Sequence, residues 1–161
     1  MDRPECHPSC LWETVPLPEL SPYSAPSRKG DRKNPKTNTA MKPNGKFRAG
    51  SLTKPFISVV TLQLAEEGRF SLDDTLPTVL PENITGKFAN SEQITVHMLL
   101  NHTGGLPEFI DLALGDILSN PDKVWREEEF LDYAATRESS FAPGETIAYV
   151  NTDYTLLGMI I

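Results

Sequence analysis

Ser51 and Lys54 stand three residues apart, where a polar, Pro-rich stretch gives way to an apolar run (FRAGSLTKPFISVVTLQLAEEG). A serine hydroxyl is a poor nucleophile until a base removes its proton. Positions i and i+3 are neighbours on one helix face, so a lysine amine so placed reaches the serine hydroxyl. A lysine is a base only when neutral, and burial against apolar surface disfavours the charged form. The free N–H groups and the dipole at a helix N-terminus favour negative charge developing on the serine. Alone, the pair says little: Ser-x-x-Lys arises about once by chance in a chain of this length. The plain alternative is a helix cap followed by a surface lysine.

The chemistry requires a helix to begin near Ser51. Apolar residues at 56, 57, 59, 60, 62, 64 and 65 cover more than one stripe, which predicts a helix buried on most sides. Pro55 falls in its first turn, where the missing N–H costs little, and Gly68 suits the left-handed residue that ends a helix. RFSLDDTLPTVLPE then predicts a turn and a short helix, with Asp73 and Asp74 as its caps. ITVHMLLNH predicts a helix capped by Thr95, and TGGLPEF a turn. A short helix is expected over 109–118 and an amphipathic one over 125–137, with Trp125, Phe130, Leu131 and Ala134 on its apolar side. FAPGETIAYVN reads as a turn with a short strand near Ile147–Val150, opening onto the apolar run NTDYTLLGMII. Residues 1–45 carry no sustained period and read as a disordered Pro/Lys-rich tail, leaving 46–161 as the folded part.

Charge supports that division. Residues 1–50 hold 9 Lys/Arg against 5 Asp/Glu, and residues 51–161 hold 6 against 17. The acidic folded part argues against a nucleic-acid partner, and the basic part holds 8 of the 14 prolines and few large apolar residues. No run approaches the roughly 18 apolar residues that span a bilayer, and the N-terminus lacks the apolar core of a signal peptide, so a cytoplasmic location is the default expectation. Cys6 and Cys10 flank His7, which falls short of the usual four metal ligands, and the expectation is free thiols and no metal. His97 and His102 are five apart and do not share a helix face, so they read as structural. Asn83 and Asn101 match the glycosylation pattern and carry no weight without an export signal.

Four blocks in order, FRAGSLTKPF, LQLAEEGRFSLDDTLPTVLPE, ITVHMLLNHTGGLPEF and FAPGETIAYVNTDYTLLG, resemble the serine β-lactamase-like family. That family includes class C β-lactamases, D-alanyl-D-alanine carboxypeptidases, D-aminopeptidases and related esterases, and the handful of motifs includes the same serine–lysine pair known in penicillin-recognising enzymes. The resemblance covers residue 46 to the end. It implies an α/β (α+β) fold, of which this stretch is mainly the helical part with most of the antiparallel sheet missing. It implies that Ser51 is acylated, that Lys54 is its basic partner, and that Tyr149, in Tyr149-Val150-Asn151, shares a proton with Lys54 and passes it to the leaving group. Asn151 would bond the substrate's amide or hold Lys54. His102, Thr103 and Gly105 match a structural His-Thr-x-Gly-Leu turn, in which Gly104 stands where a serine is usual. The implied substrate is a small molecule or peptide bearing a β-lactam, D-amino-acid amide or ester bond, with no cofactor; the oligomeric state is left open.

Two departures divide the functional expectation. The family begins with a strand hairpin that residues 1–45 do not resemble, and it carries a Lys/His-x-Gly strand beyond Tyr-x-Asn, which supplies the second oxyanion N–H; the chain ends before it. Loss of one such donor costs about 10² to 10³ in rate. One reading is therefore the front part of a serine hydrolase acting through acyl-Ser51. The other is a catalytically inactive remnant that serves at most as a binding or interaction module, exposing the apolar face meant for the sheet.

Overall fold

The computed structural model describes residues 32–34, 39–40 and 48–161. The pair of cysteines and His7 lie outside them, as does most of the expected tail. Two short strands are described within that tail: β1 (Arg32–Asn34) pairs antiparallel with β2 (Thr39–Ala40), Arg32 opposite Ala40 and Asn34 opposite Thr39. Strands this short leave no alternating pattern in the sequence, which is why none was expected. They belong to a unit separate from residues 48–161, and the second unit carries everything that follows.

That unit is helical. A 3-10 turn over Gly50–Thr53 runs directly into α1 (Lys54–Glu66), with Pro55 in its first turn. α1 ends as its glycine predicts: Gly68 takes a φ of 70°, and the N–H groups of Gly68 and Arg69 bond the carbonyls of Ala65 and Leu64. Two single turns follow, α2 (Leu76–Val79) and α3 (Glu82–Thr85), then α4 (Val96–Leu100), α5 (Ile110–Ser119), α6 (Glu127–Ala134) and α7 (Asn151–Ile160). Thr95 caps α4, its side chain accepting from the Met98 N–H at 3.2 Å. The segments before α2 and α4 are stitched together, Leu76 N–H to Ile94 O and Val96 N–H to Asp74 O. No helix among the described residues is long and apolar enough to cross a membrane.

α7 is the centre of the packing. Its Leu156 and Leu157 are fully buried, and it lies against α1, α4 and α6. Leu76, Ile84, Ile94, Val96, Leu99, Leu106 and Leu131 are the other large apolar side chains fully buried in the core. Fully burying a side chain of this size stabilises by roughly 1.5–3 kcal/mol before the entropy of ordering it is charged.

Three expectations need correction. α1 is not buried on most sides: Thr61 is its one buried residue, whereas Phe56 is 73% exposed, and Val59, Val60 and Leu62 also face outward. Among the described residues α7 is the helix it chiefly packs against, along the side bearing Ile57, Ser58 and Thr61. Apolar periodicity reports which faces avoid water and not what covers them. Residues 147–150 are not a strand; Ala148 N–H bonds His102 O at 3.0 Å, and no ladder continues from it. Asp73 and Asp74 do not cap α2, whose N-cap is Thr75; the Asp74 carboxylate instead accepts from the Ser71 N–H at 2.8 Å and closes the preceding turn.

The turn 102–106 is packed closely enough to require glycine. Gly105 has a φ of 73°, and a Cβ there would lie 2.2 Å from the Phe141 carbonyl oxygen. Gly104 is buried for a different reason. A Cβ on it would stand 3.2 Å from the Ile94 Cγ2 and 3.8 Å from Asp153 Oδ1, a buried oxygen with no hydrogen-bond partner. A serine at 104 would put its hydroxyl where that oxygen is orphaned. Gly104→Ser is expected to stabilise the fold by about 1 kcal/mol, seen as a rise in Tm of roughly 4 °C. A fall in Tm would mean that the Ile94 methyl cannot yield to the new Cβ.

Candidate active site

The N-terminal residues of α1 and α7 meet at the site. Ser51 lies in the 3-10 turn, exposed, and Lys54, the first residue of α1, is half-buried. Lys54 Nζ stands 3.4 Å from Ser51 Oγ. It donates a shorter bond, 2.7 Å, to Oδ1 of Asn151, the first residue of α7. Tyr149 reaches over from the segment before α7, its hydroxyl donating to Ser51 Oγ at 2.9 Å. The Lys54 nitrogen also lies 4.6 Å from the Tyr149 ring centre. The four residues singled out in the sequence are thus brought together although 98 positions separate Ser51 from Tyr149: Lys54 and Tyr149 reach the Ser51 hydroxyl, and Asn151 reaches Lys54.

Charge placement tunes Tyr149. Lys54 first, then the hydrogen bond to Ser51, pull the phenol's pKa below its ordinary value, and partial desolvation opposes them. A phenol so placed gives up its proton more readily than one in water, which suits a group that shuttles protons. An open cavity of about 600 Å³ adjoins the hydroxyl, with Ser51, Lys54 and Asn151 on its polar side and Ile57, Phe109 and Phe130 on its apolar side. Among the described residues no cluster of His, Cys, Asp or Glu could hold a metal ion.

Three groups that the sequence did not single out for the site border it. His102, in the turn before Gly104 with a φ of 62°, places its ring between Tyr149 and Tyr154, at 4.7 and 5.1 Å between ring centres. Asp153 Oδ2 lies 2.7 Å from His102 Nδ1. Glu108 accepts from both the backbone N–H and Nδ2 of Asn151, at 2.7 and 3.0 Å. Asp153 and Glu108 sit within ordinary-looking segments, Asp153 between Thr152 and Tyr154 in a helical run and Glu108 in a turn, so only the folded contacts reveal them.

The family model described as Beta-lactamase matches residues 27–161. Protein flp of Staphylococcus aureus (strain MW2) is 33% identical over 119 residues, which make up 74% of this chain and 23% of that protein. A solved D-stereospecific amidohydrolase from Streptomyces sp. superposes with a TM-score of 0.65 at 36% identity, covering 71% of this chain and 36% of that one. The D-amino acid amidase from Ochrobactrum anthropi SV3, complexed with L-phenylalanine, gives a TM-score of 0.61 at 29% identity, covering 79% of this chain and 33% of that one. The chain therefore spans about a quarter of the curated relative and about a third of the solved chains.

The His102–Asp153 pair makes the fold sensitive to pH. Burial raises the Asp153 pKa from 3.8 to about 6, and its hydrogen bond to His102 pulls less strongly the other way. The folded state thus holds this proton more tightly than the unfolded chain. The stability it contributes is complete below pH 3.8 and is lost as pH rises through about 6. Asn at this position stays neutral and still offers His102 an acceptor. Relative to Asp153→Asn, the parent chain should lose about 2 kcal/mol between pH 4 and 7, measured by denaturant melts across that range. A stability difference independent of pH would exclude burial of the carboxyl as the cause.

Proposed function

The chain belongs to the beta-lactamase family, and on that premise we propose that it forms part of a serine hydrolase that opens an amide, ester or β-lactam bond through an acyl group on Ser51. Its solved relatives have the serine β-lactamase and penicillin-binding-protein fold. The observation that carries the proposal is the shared contact at one hydroxyl, with Tyr149 OH at 2.9 Å and Lys54 Nζ at 3.4 Å from Ser51 Oγ.

In the proposed reaction the Lys54–Tyr149 pair takes the Ser51 proton as Oγ attacks the carbonyl carbon. A C–O bond forms and the carbonyl electrons move onto oxygen. Collapse of that oxyanion breaks the bond to the leaving nitrogen or oxygen, and Tyr149 delivers the proton to it. Water then attacks the acyl-Ser51 ester and gives a proton to the pair; the acyl C–Oγ bond breaks, the pair returns the proton to Ser51 Oγ, and the carboxylic acid leaves. Asn151 holds Lys54 beside the serine throughout. The apolar wall of Ile57, Phe109 and Phe130 suits an apolar group next to the scissile bond. Two solved relatives are named for D-stereospecific and D-amino acid amide substrates, which makes D-configured amides the first substrates to try.

The exposed apolar face of α1 favours a second reading, a non-catalytic chain that binds a partner. Covalent labelling separates the two. A fluorophosphonate or a penicillin should add one adduct mass to Ser51, and Ser51→Ala should abolish it. Tyr149→Phe should slow labelling roughly 10²-fold or more. Equal labelling of Ser51→Ala would dismiss Ser51 as the nucleophile, and no adduct on the parent chain would favour the binding reading.

A further inference from the structure

One carboxylate beside the site has both oxygens engaged yet takes no part in the proposed proton path. Glu108 Oε1 accepts from the N–H groups of Phe109 and Ile110, each at 2.8 Å, at the start of α5. Its Oε2 accepts from the backbone N–H and Nδ2 of Asn151, at the start of α7. The other end of the same Asn151 amide, Oδ1, accepts from Lys54 Nζ at 2.7 Å. A continuous relay therefore runs Glu108–Asn151–Lys54–Ser51.

A side-chain amide has a donor end and an acceptor end of nearly the same shape, so its neighbours decide which way round it sits. An ionised carboxylate only accepts. Glu108 thus fixes the NH₂ of Asn151 toward itself and leaves Oδ1 facing the lysine. With the amide reversed, two N–H donors would face each other at Lys54 whenever the amine is charged.

We propose that Glu108 is a positioning residue: it sets the orientation of the Asn151 amide and so holds Lys54 beside Ser51. The kinetic consequence rests on the acyl-Ser51 reading, whereas the orientation itself does not. A purely structural role, as an acceptor for the first N–H groups of α5 and α7, is the alternative to be distinguished.

Glu108→Gln keeps the size of the side chain and removes one acceptor end. Whichever way the new amide sits, two of the four N–H donors now face an NH₂. The Asn151 amide is expected to turn over, and the nuclear Overhauser effect from its Nδ2 protons to the Lys54 ε-methylene should strengthen. Acylation of Ser51 by a penicillin should slow about tenfold in the parent background and less than about twofold in Asn151→Ala, where no amide remains to be oriented. Equal slowing in both backgrounds, or an unchanged Overhauser pattern in Glu108→Gln, would overturn the proposal in favour of the structural role. If the parent chain takes no acyl group, the nucleophile reading fails, and the Overhauser comparison still decides the role of Glu108. Glu108→Asp, which keeps the carboxylate but withdraws it by one methylene, should show the same pattern in smaller measure and serves if Glu108→Gln does not fold.

Discussion

The 2.7 Å hydrogen bond between Lys54 Nζ and Asn151 Oδ1 joins the first residues of two helices that are 97 positions apart. A half-buried ammonium needs acceptors, because an unpaired charge removed from water is costly. Asn151 supplies one, and doing so brings the N-terminal ends of α1 and α7 together. Ser58 and Tyr154 repeat the arrangement one turn further on, with their hydroxyls 2.8 Å apart. Polar contacts thus fix the register of α1 on α7, and α7 also lies against α4 and α6. The geometry around Ser51 follows from that register: move α1 by one turn and neither Lys54 nor Tyr149 reaches the hydroxyl.

The site is layered outward from the serine. Lys54 and Tyr149 touch Ser51, Asn151 touches Lys54, and Glu108 touches Asn151. On the other side His102 packs against Tyr149 and is fixed by Asp153. Each layer converts a flexible side chain into one with few orientations, which is how a site holds productive geometry before substrate arrives. Two acidic residues stand in the outer layer and differ in how they are satisfied. Glu108 has all its donors, whereas Asp153 leaves one oxygen without a partner beside Gly104.

Much of the inner layer was legible in the sequence because its residues stand in pairs at short spacings. Ser51 and Lys54 are a local pair, and Tyr149 and Asn151 another; the block order linked the two pairs. Helices with a cap or a stop signal were also legible, α4 from Thr95 and the end of α1 from Gly68. The outer layer was not. Glu108 acts through contacts with a residue 43 positions away, and Asp153 through one 51 positions away, and no local pattern marks either. The covering of α1 was misjudged for a related reason. Its many apolar residues show a preference for burial, but whether a neighbour is present to satisfy it is a property of the fold, and among the described residues α7 meets only one side.

The limited apolar cover of α1 bears on how the molecule breathes. Segments with few buried apolar contacts open at lower free energy than the core they lie on. The leucines of α7 and α4 therefore define a slow, cooperative unit, and α1 with the turn carrying Ser51 lies toward the loose end of the stability range. The serine hydroxyl is thus mounted beside a helix with little apolar cover among the described residues, with its partners Tyr149 and Asn151 held on or next to the well-buried α7. Local opening of α1 would part Ser51 and Lys54 from Tyr149 and Asn151. Whatever binds the outward face of α1 and damps that opening, in this chain or beyond it, would by the same step assemble the site.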